Sequence, residues 1–167
     1  RMLLSETGMV NEVLYRLHLP TSKFLADSSS ALPTCAAIAT WKGLGFYIVI
    51  LTAGILAIPE EIYDAARVDG VNEWQRFWHI TLPLMANTLL LITVLLAIGA
   101  LQEFTGVFVL TDGGPGTATL MYNLLIYNEA FRSARFGTAT AAALMQFVVI
   151  LGISYLQIRL LRPRWSY

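Results

Sequence analysis

The chain has 167 residues, 56% of them hydrophobic and 13% charged, with 11 basic and 11 acidic residues and a formal net charge of zero. An ordinary soluble domain carries about 25% charged residues, so this composition excludes a water-soluble globular domain and calls for a membrane-embedded one. The balanced charge leaves no basic or acidic field for a nucleic acid or an acidic ligand, and a lone cysteine, Cys35, excludes an intramolecular disulfide.

In chain order, residues 1–33 are mixed in polarity and contain no uninterrupted apolar core, so no cleavable signal peptide is expected there. Residues 34–57 then form an apolar run that approaches or exceeds the ~20 residues a helix needs to cross the hydrocarbon core, and 84–110 and 137–158 form two more. The predicted fold is therefore an all-α membrane protein with three transmembrane helices. Cys35, at the start of the first span, reads as a small packing residue. The third span opens Gly137-Thr138-Ala139-Thr140-Ala141-Ala142-Ala143, a small-residue surface suited to close helix approach.

Between the first two spans, residues 58–83 are polar and patterned. Pro59 suits a helix start, and Glu60 and Glu61 place negative charge beside the positive end of that helix. Gly70 takes a positive φ without steric cost and is the expected stop. Asn72 and Gln75 then have capping-box spacing for a second helix. On that helix Trp74, Phe77, Trp78 and Thr81 fall at i, i+3, i+4, i+7, which predicts one aromatic face for the membrane interface with Glu73 and Arg76 toward water. The connector should be helix, glycine elbow, helix.

Two polar features fall inside the spans. Glu103 lies in the outer half of the second, where even a central acid would cost roughly 2.5–3.5 kcal/mol on insertion scales, offset by half a dozen leucine-like residues. It either lines a wet path with Gln102 and Thr105, pairs with Lys42 of the first span at similar depth, or snorkels to the outer interface. Gln146 and Tyr155 on the third span face either a pore or a neighbouring helix. The run Asp112-Gly113-Gly114-Pro115-Gly116 is a tight turn where the chain leaves the membrane. No Gly-Lys-Ser or Gly-Lys-Thr follows it, so this chain has no Walker-type phosphate site.

The connector carries an acid, two alanines, three residues, a glycine, nine residues and Ile-x-Leu-Pro, met by Asp64, Ala65, Ala66, Gly70, Ile80, Leu82 and Pro83. This resembles the cytoplasmic coupling loop of ABC-importer permeases, with Asp64 where that family usually has glutamate. Leu110-Thr111-Asp112-Gly113-Gly114-Pro115, then Tyr127-Asn128-Glu129-Ala130-Phe131 and Phe136-Gly137-Thr138-Ala139, are similar to the first permease of each pair in the maltose, lactose and glycerol-phosphate importers. Peptide permeases tend to end the loop in His-x-x-Pro-Asn, whereas here Ile80-Thr81-Leu82-Pro83 follow His79.

The resemblance implies a multi-pass subunit of the cytoplasmic (inner) membrane, moving a sugar or sugar derivative. Residues 1–33 and 111–136 would be periplasmic, 58–83 cytoplasmic with the coupling helix, and 159–167 a cytoplasmic tail. Since such permeases have about six spans, three would make this the C-terminal half of a longer protein. The implied partners are a second permease, two ATP-binding subunits, a periplasmic or lipid-anchored sugar-binding protein and membrane lipid, with no nucleic acid. No cofactor is expected on this chain, and ATP and Mg would be used by the partner ATPase, so the chain is not itself an enzyme. Coupling to the ATPase would fall to Glu61, Asp64, Ala65, Ala66, Asp69, Gly70, Ile80, Leu82 and Pro83. The substrate path would involve Gln102, Glu103, Phe104, Thr105 and Gln146, with Phe104 stacked on a sugar ring. Alternatives are a permease for a non-sugar solute and a membrane assembly protein with no transport role. Tyr122, Asn123, Tyr127 and Asn128 would lie at the outer face, either docking a binding protein or simply sitting at the interface.

Overall fold

Long apolar runs without proline in their interiors become long helices, and this is what a computed structural model of the chain contains. It describes residues 8–161, so residues 1–7 of the expected first loop and 162–167 of the expected tail lie outside the described residues. Within that range all regular structure is helical. The order is α1 (Met9–Arg16), α2 (Ala31–Leu56), α3 (Glu60–Val68), α4 (Glu73–Arg76), a π-turn (Phe77–Thr81), α5 (Leu82–Leu84), α6 (Ala86–Leu101), α7 (Thr105–Leu110), α8 (Tyr122–Tyr127), a second π-turn (Asn128–Arg132) and α9 (Phe136–Leu161). Three stretches are long and apolar enough to cross a membrane: Ala31–Leu56 with 26 residues, Ala86–Leu110 with 25 and Phe136–Leu161 with 26. At 1.5 Å per residue each exceeds the ~30 Å hydrocarbon thickness. Their large side chains face outward, as with Trp41 at 78%, Phe46 at 60% and Val148 at 66% exposure. Such surfaces need lipid or partner helices around them, since water would oppose this much apolar exposure.

The described residues form two compact units, one of residues 8–42 and 100–148, the other of 43–99 and 149–161. In the first, Asn11 is buried and clamps the loop after α1, donating from Nδ2 to the Ser22 carbonyl (2.7 Å) and accepting from the Ser22 N–H (3.0 Å). Asp27 starts α2 with its carbonyl, which accepts from Ala31 N–H at 2.9 Å. Its carboxylate accepts from the Ser29 hydroxyl, and that bond holds Asp27 below the ordinary aspartate range. The glycine turn after α7 is built around Thr119, whose hydroxyl is buried, lies 2.7 Å from the Thr111 hydroxyl and donates to the Gly114 carbonyl at 2.8 Å. Asp112, Gly113 and Gly116 all take positive φ in it, at 51°, 90° and 61°.

In the second unit, α2 and α6 meet at Gly54. A Cβ there would lie 2.8 Å from both Cγ2 and Oγ1 of Thr88, closer than real contacts allow. Glycine therefore sets the helix separation, as small residues do throughout membrane bundles. Threonine is stiff at χ1 and cannot swing away freely. Gly54→Ala is expected to cost about 1–3 kcal/mol, the usual range for overpacking. Thr88→Ala in the same chain should restore most of it, as thermal unfolding of the detergent-solubilised protein would show. An unrestored double variant would place the constraint elsewhere.

Candidate functional site

The polar connector belongs wholly to the second unit. α3 begins with Pro59 as its N-cap (φ −58°, ψ 137°), one residue earlier than the expected first helical position, and Glu60 and Glu61 occupy the first turn. At its other end Gly70 has φ +72°. The Val71 N–H reaches the Ala66 carbonyl and the Gly70 N–H reaches the Arg67 carbonyl, both at 3.1 Å. These are the paired bonds of a Schellman stop, which requires the left-handed residue that Gly70 supplies. Nothing lies within 4 Å of a Cβ placed on Gly70, so its requirement is conformational and not spatial.

The capping box forms as the sequence predicts: the Gln75 N–H donates to Asn72 Oδ1 (2.8 Å) and the Asn72 N–H donates to Gln75 Oε1 (3.2 Å). Beyond it the structure departs from an ideal helix. The chain widens into the π-turn Phe77–Thr81 just before Pro83. A proline has no N–H and its ring crowds the carbonyl four residues earlier, here that of His79, and a wider turn accommodates both. The consequence corrects the expected face. Trp74, Phe77 and Trp78 stay together, exposed at 72%, 44% and 47%, with edge-to-face contacts at 5.8 and 5.4 Å. Thr81 rotates off that face and is buried at 8% exposure, its hydroxyl 3.3 Å from the Tyr63 hydroxyl. Arg76 does not simply face water either. It pairs with Glu73 and lays its guanidinium over the Tyr63 ring, 5.5 Å from the centroid.

Among the residues expected to meet a partner, Glu61, Asp64, Ala65, Asp69, Gly70 and Pro83 are exposed. Asp64 pairs with Arg67 at 2.7 Å across the outer face of α3. Ile80 and Leu82 are half-buried, and Ala66 is 4% exposed. The small size of Ala66 therefore serves packing within the chain, and Ala65 alone of the pair is presented outward.

In the first unit the expected substrate-path residues come together for a reason the sequence did not reveal. The second span, expected as one helix over 84–110, is interrupted at residues 102–104, between α6 and α7. An interruption strands backbone groups that nothing in lipid can satisfy, at a cost of several kcal/mol each. Glu103 Oε1 accepts from the Gly106 N–H at 2.7 Å, at the start of α7. Gln146 Nε2 of α9 donates to the Leu101 carbonyl at 2.8 Å, the group that the missing turn would have occupied. Gly106 makes this possible, since a Cβ there would lie 2.9 Å from that same carboxylate oxygen. Glu103 and Lys42 form no ion pair among the described residues, which corrects that alternative. Phe104 stacks on Phe108 (5.1 Å) and touches Tyr127 (5.3 Å), so one of its faces is already occupied. Gln102 and Thr105 are exposed beside the break. Helix breaks at membrane depth are tolerated where they are buried in protein or line a water-filled cavity.

Sequence reasoning missed two further groupings. Arg132 Nη2 donates to both carboxylate oxygens of Asp112 at 2.8 Å, with the guanidinium 5.9 Å from the Phe108 and Tyr127 ring centres. Glu129 accepts from Arg135 (2.8 Å) and from the Thr138 hydroxyl (3.2 Å). Asp112 and Arg132 stand 20 residues apart, and no local pattern announces such a pair. Tyr155 is exposed on α9, while Gln157 of that helix donates to the Thr93 carbonyl at 3.4 Å.

Three membrane-length helices, a charged helix–elbow–helix between the first two and a satisfied break in the second define a polytopic membrane protein. The chain belongs to the family of binding-protein-dependent transport system inner membrane components, whose model matches residues 13–167. It is 36% identical over 143 residues to the multiple sugar-binding transport system permease protein MsmF of Streptococcus mutans, covering 83% of this chain and 49% of that one. It is 34% identical over 157 residues to the trehalose/maltose transport system permease protein MalF of Thermococcus litoralis, covering 94% and 53%. In structure it is similar to a chain of the bacterial alginate ABC transporter in complex with alginate pentasaccharide-bound periplasmic protein, with a TM-score of 0.86 and 27% identity over 99% of this chain and 59% of that one. The chain spans about half the length of the curated relatives it matches.

Proposed function

We propose that this chain is a permease subunit of an ATP-driven importer that carries a sugar or sugar derivative across the inner membrane. The observation that carries the reading is the connector at residues 60–81. It is a short helix with exposed acids and an exposed Ala65, closed by a left-handed glycine and followed by a capped helix that runs into the base of the second span. This is a shape that a soluble partner can grip and that passes displacement into a membrane helix. The relatives' names, which speak of sugar transport, and the neighbour's complex with a pentasaccharide-bound periplasmic protein support a carbohydrate as the solute.

On this reading α3 is cytoplasmic and seats in an ATP-binding subunit, with Glu61, Asp64, Ala65 and Asp69 toward it. A second permease covers the exposed apolar faces, two ATPase subunits drive the cycle with ATP and Mg, and a binding protein delivers the solute from the other side. Nucleotide shifts the permease between access states only through different affinities for them, so the connector must transmit that difference. The exposed groups at the break, Gln102 and Thr105, with Glu103 and Phe104 beside them, supply acceptors and an aromatic face of the kind that sugar hydroxyls and rings engage.

The test is to assemble the permease with its partner permease, ATPase subunits and binding protein in proteoliposomes and measure ATP-dependent uptake of a panel of labelled mono- and oligosaccharides. Uptake of at least one, lost when Asp64, Ala65 and Gly70 are all replaced, is the expected result. Capture of the ATPase that is indifferent to those replacements would remove the connector from its proposed role.

A further inference from the structure

We infer that Tyr63 is the positioning residue that ties the coupling helix to the second span, acting through Thr81 and Arg76; this rests on the importer reading above. The mechanical problem is set by Gly70. It joins α3 to α4 through a left-handed residue with nothing packed within 4 Å of its Cβ position, and only Val71 separates it from the next cap, Asn72. A backbone joint of that kind resists bending weakly. If a partner displaced α3, the elbow alone would absorb part of the movement before it reached the membrane.

A cross-brace closes the elbow. Tyr63, one residue before Asp64 on α3, reaches over the turn so that its hydroxyl lies 3.3 Å from Thr81 Oγ1. Among the described residues this is the one side-chain hydrogen bond that links α3 to the chain beyond the elbow. Thr81 is buried, closes the π-turn and accepts through its carbonyl from the Met85 N–H at 3.0 Å, so it belongs to the base of the second span. The Arg76 guanidinium lies over the Tyr63 ring, 5.5 Å from its centroid, and is itself held by Glu73. Guanidinium over a ring and a hydroxyl pair, both partly shielded from water, fix the ring at two points. The π-turn acquires a purpose in this arrangement: the wider turn brings Thr81 off the aromatic face and toward Tyr63.

The test uses the assembled transporter in proteoliposomes, with Cys35→Ala and Thr117→Cys as a reporter background, Thr117 being exposed in the glycine turn that follows the second span. The reporter's rate of labelling by a membrane-impermeant maleimide is compared with and without Mg-ATP and vanadate, alongside ATP hydrolysis and the amount of ATPase retained by the complex. Tyr63→Phe and Thr81→Val should each shrink the nucleotide-dependent change in labelling about 5-fold, the worth of one hydrogen bond. The double variant should be no worse than either single one, and Thr81→Ser should behave as the unmodified protein. ATPase retention and hydrolysis should persist in all of them, which a mere folding defect would not allow. An unchanged labelling response in both single variants, or strictly additive losses in the double, would overturn the brace. Failure of the unmodified complex to retain the ATPase or to respond to nucleotide would instead overturn the importer reading on which it stands.

Discussion

On the importer reading proposed above, replacing Gly70 with valine should abolish most transport while leaving the ATPase subunits attached. The position has φ +72° and open space around it, so the cost of a side chain arises from the backbone and not from collision. An L-residue in the left-handed region costs roughly 1–2 kcal/mol, and a β-branched one sits at or above the top of that range. Asparagine visits the region most readily among the other residues. Valine would undo the paired bonds from Gly70 and Val71 to Arg67 and Ala66, letting α3 run on or fray and changing its angle to α4. The outward residues Glu61, Asp64 and Ala65 lie earlier on α3 and keep their helical setting. The expected ranking is therefore glycine, asparagine, alanine, valine, with uptake by the valine variant down about tenfold or more, equivalent to ~1.4 kcal/mol. ATPase retention should stay within about twofold, on the same scale. Uptake by the valine variant at the level of the asparagine variant would show that the left-handed geometry is dispensable.

The contrast between what the residues disclosed and what they hid tracks the range of the interactions. The capping box at Asn72 and Gln75 and the stop at Gly70 involve neighbours three to five positions apart, and such geometry is written directly in residue spacing. The three spans were legible for a similar reason, since apolar length alone sets them. The break at residues 102–104 was not, because no proline lies in that stretch and the surrounding residues remain apolar on both sides. Only Gln102-Glu103 hinted at it, and a polar pair of that kind is equally compatible with an unbroken helix facing a pore or a neighbour. Thr81 was misplaced because a 3.6-residue period was carried through a stretch that winds as a π-turn. Tyr63 escaped notice because its partner lies 18 residues away and becomes a neighbour only once that turn forms.

Glu103 offers the sharpest test of whether the break serves the fold or the solute. Its Oε1 satisfies the Gly106 N–H, and Gln146 satisfies the Leu101 carbonyl, so two side chains hold open what lipid would otherwise close. Glu103→Leu should improve bare insertion, since it removes an acid from the outer half of the span, where the cost is below the about 2.5–3.5 kcal/mol of a mid-membrane acid. It should nevertheless impair the assembled protein, because the Gly106 N–H loses its partner at a cost of about 1–3 kcal/mol. The two effects have opposite signs and separate readouts: amount in the membrane for the first, thermal stability and uptake for the second. Gln146→Leu should act on the same break, and its loss should combine with that of Glu103→Leu less than additively. Glu103→Gln decides the role. A glutamine retains a carbonyl oxygen for Gly106 and discards only the charge, so stability and uptake near the unmodified level would assign Glu103 to capping α7. Stability retained with uptake lost would assign the carboxylate to the solute path, and the cap would then be the means by which the fold holds that carboxylate at the break.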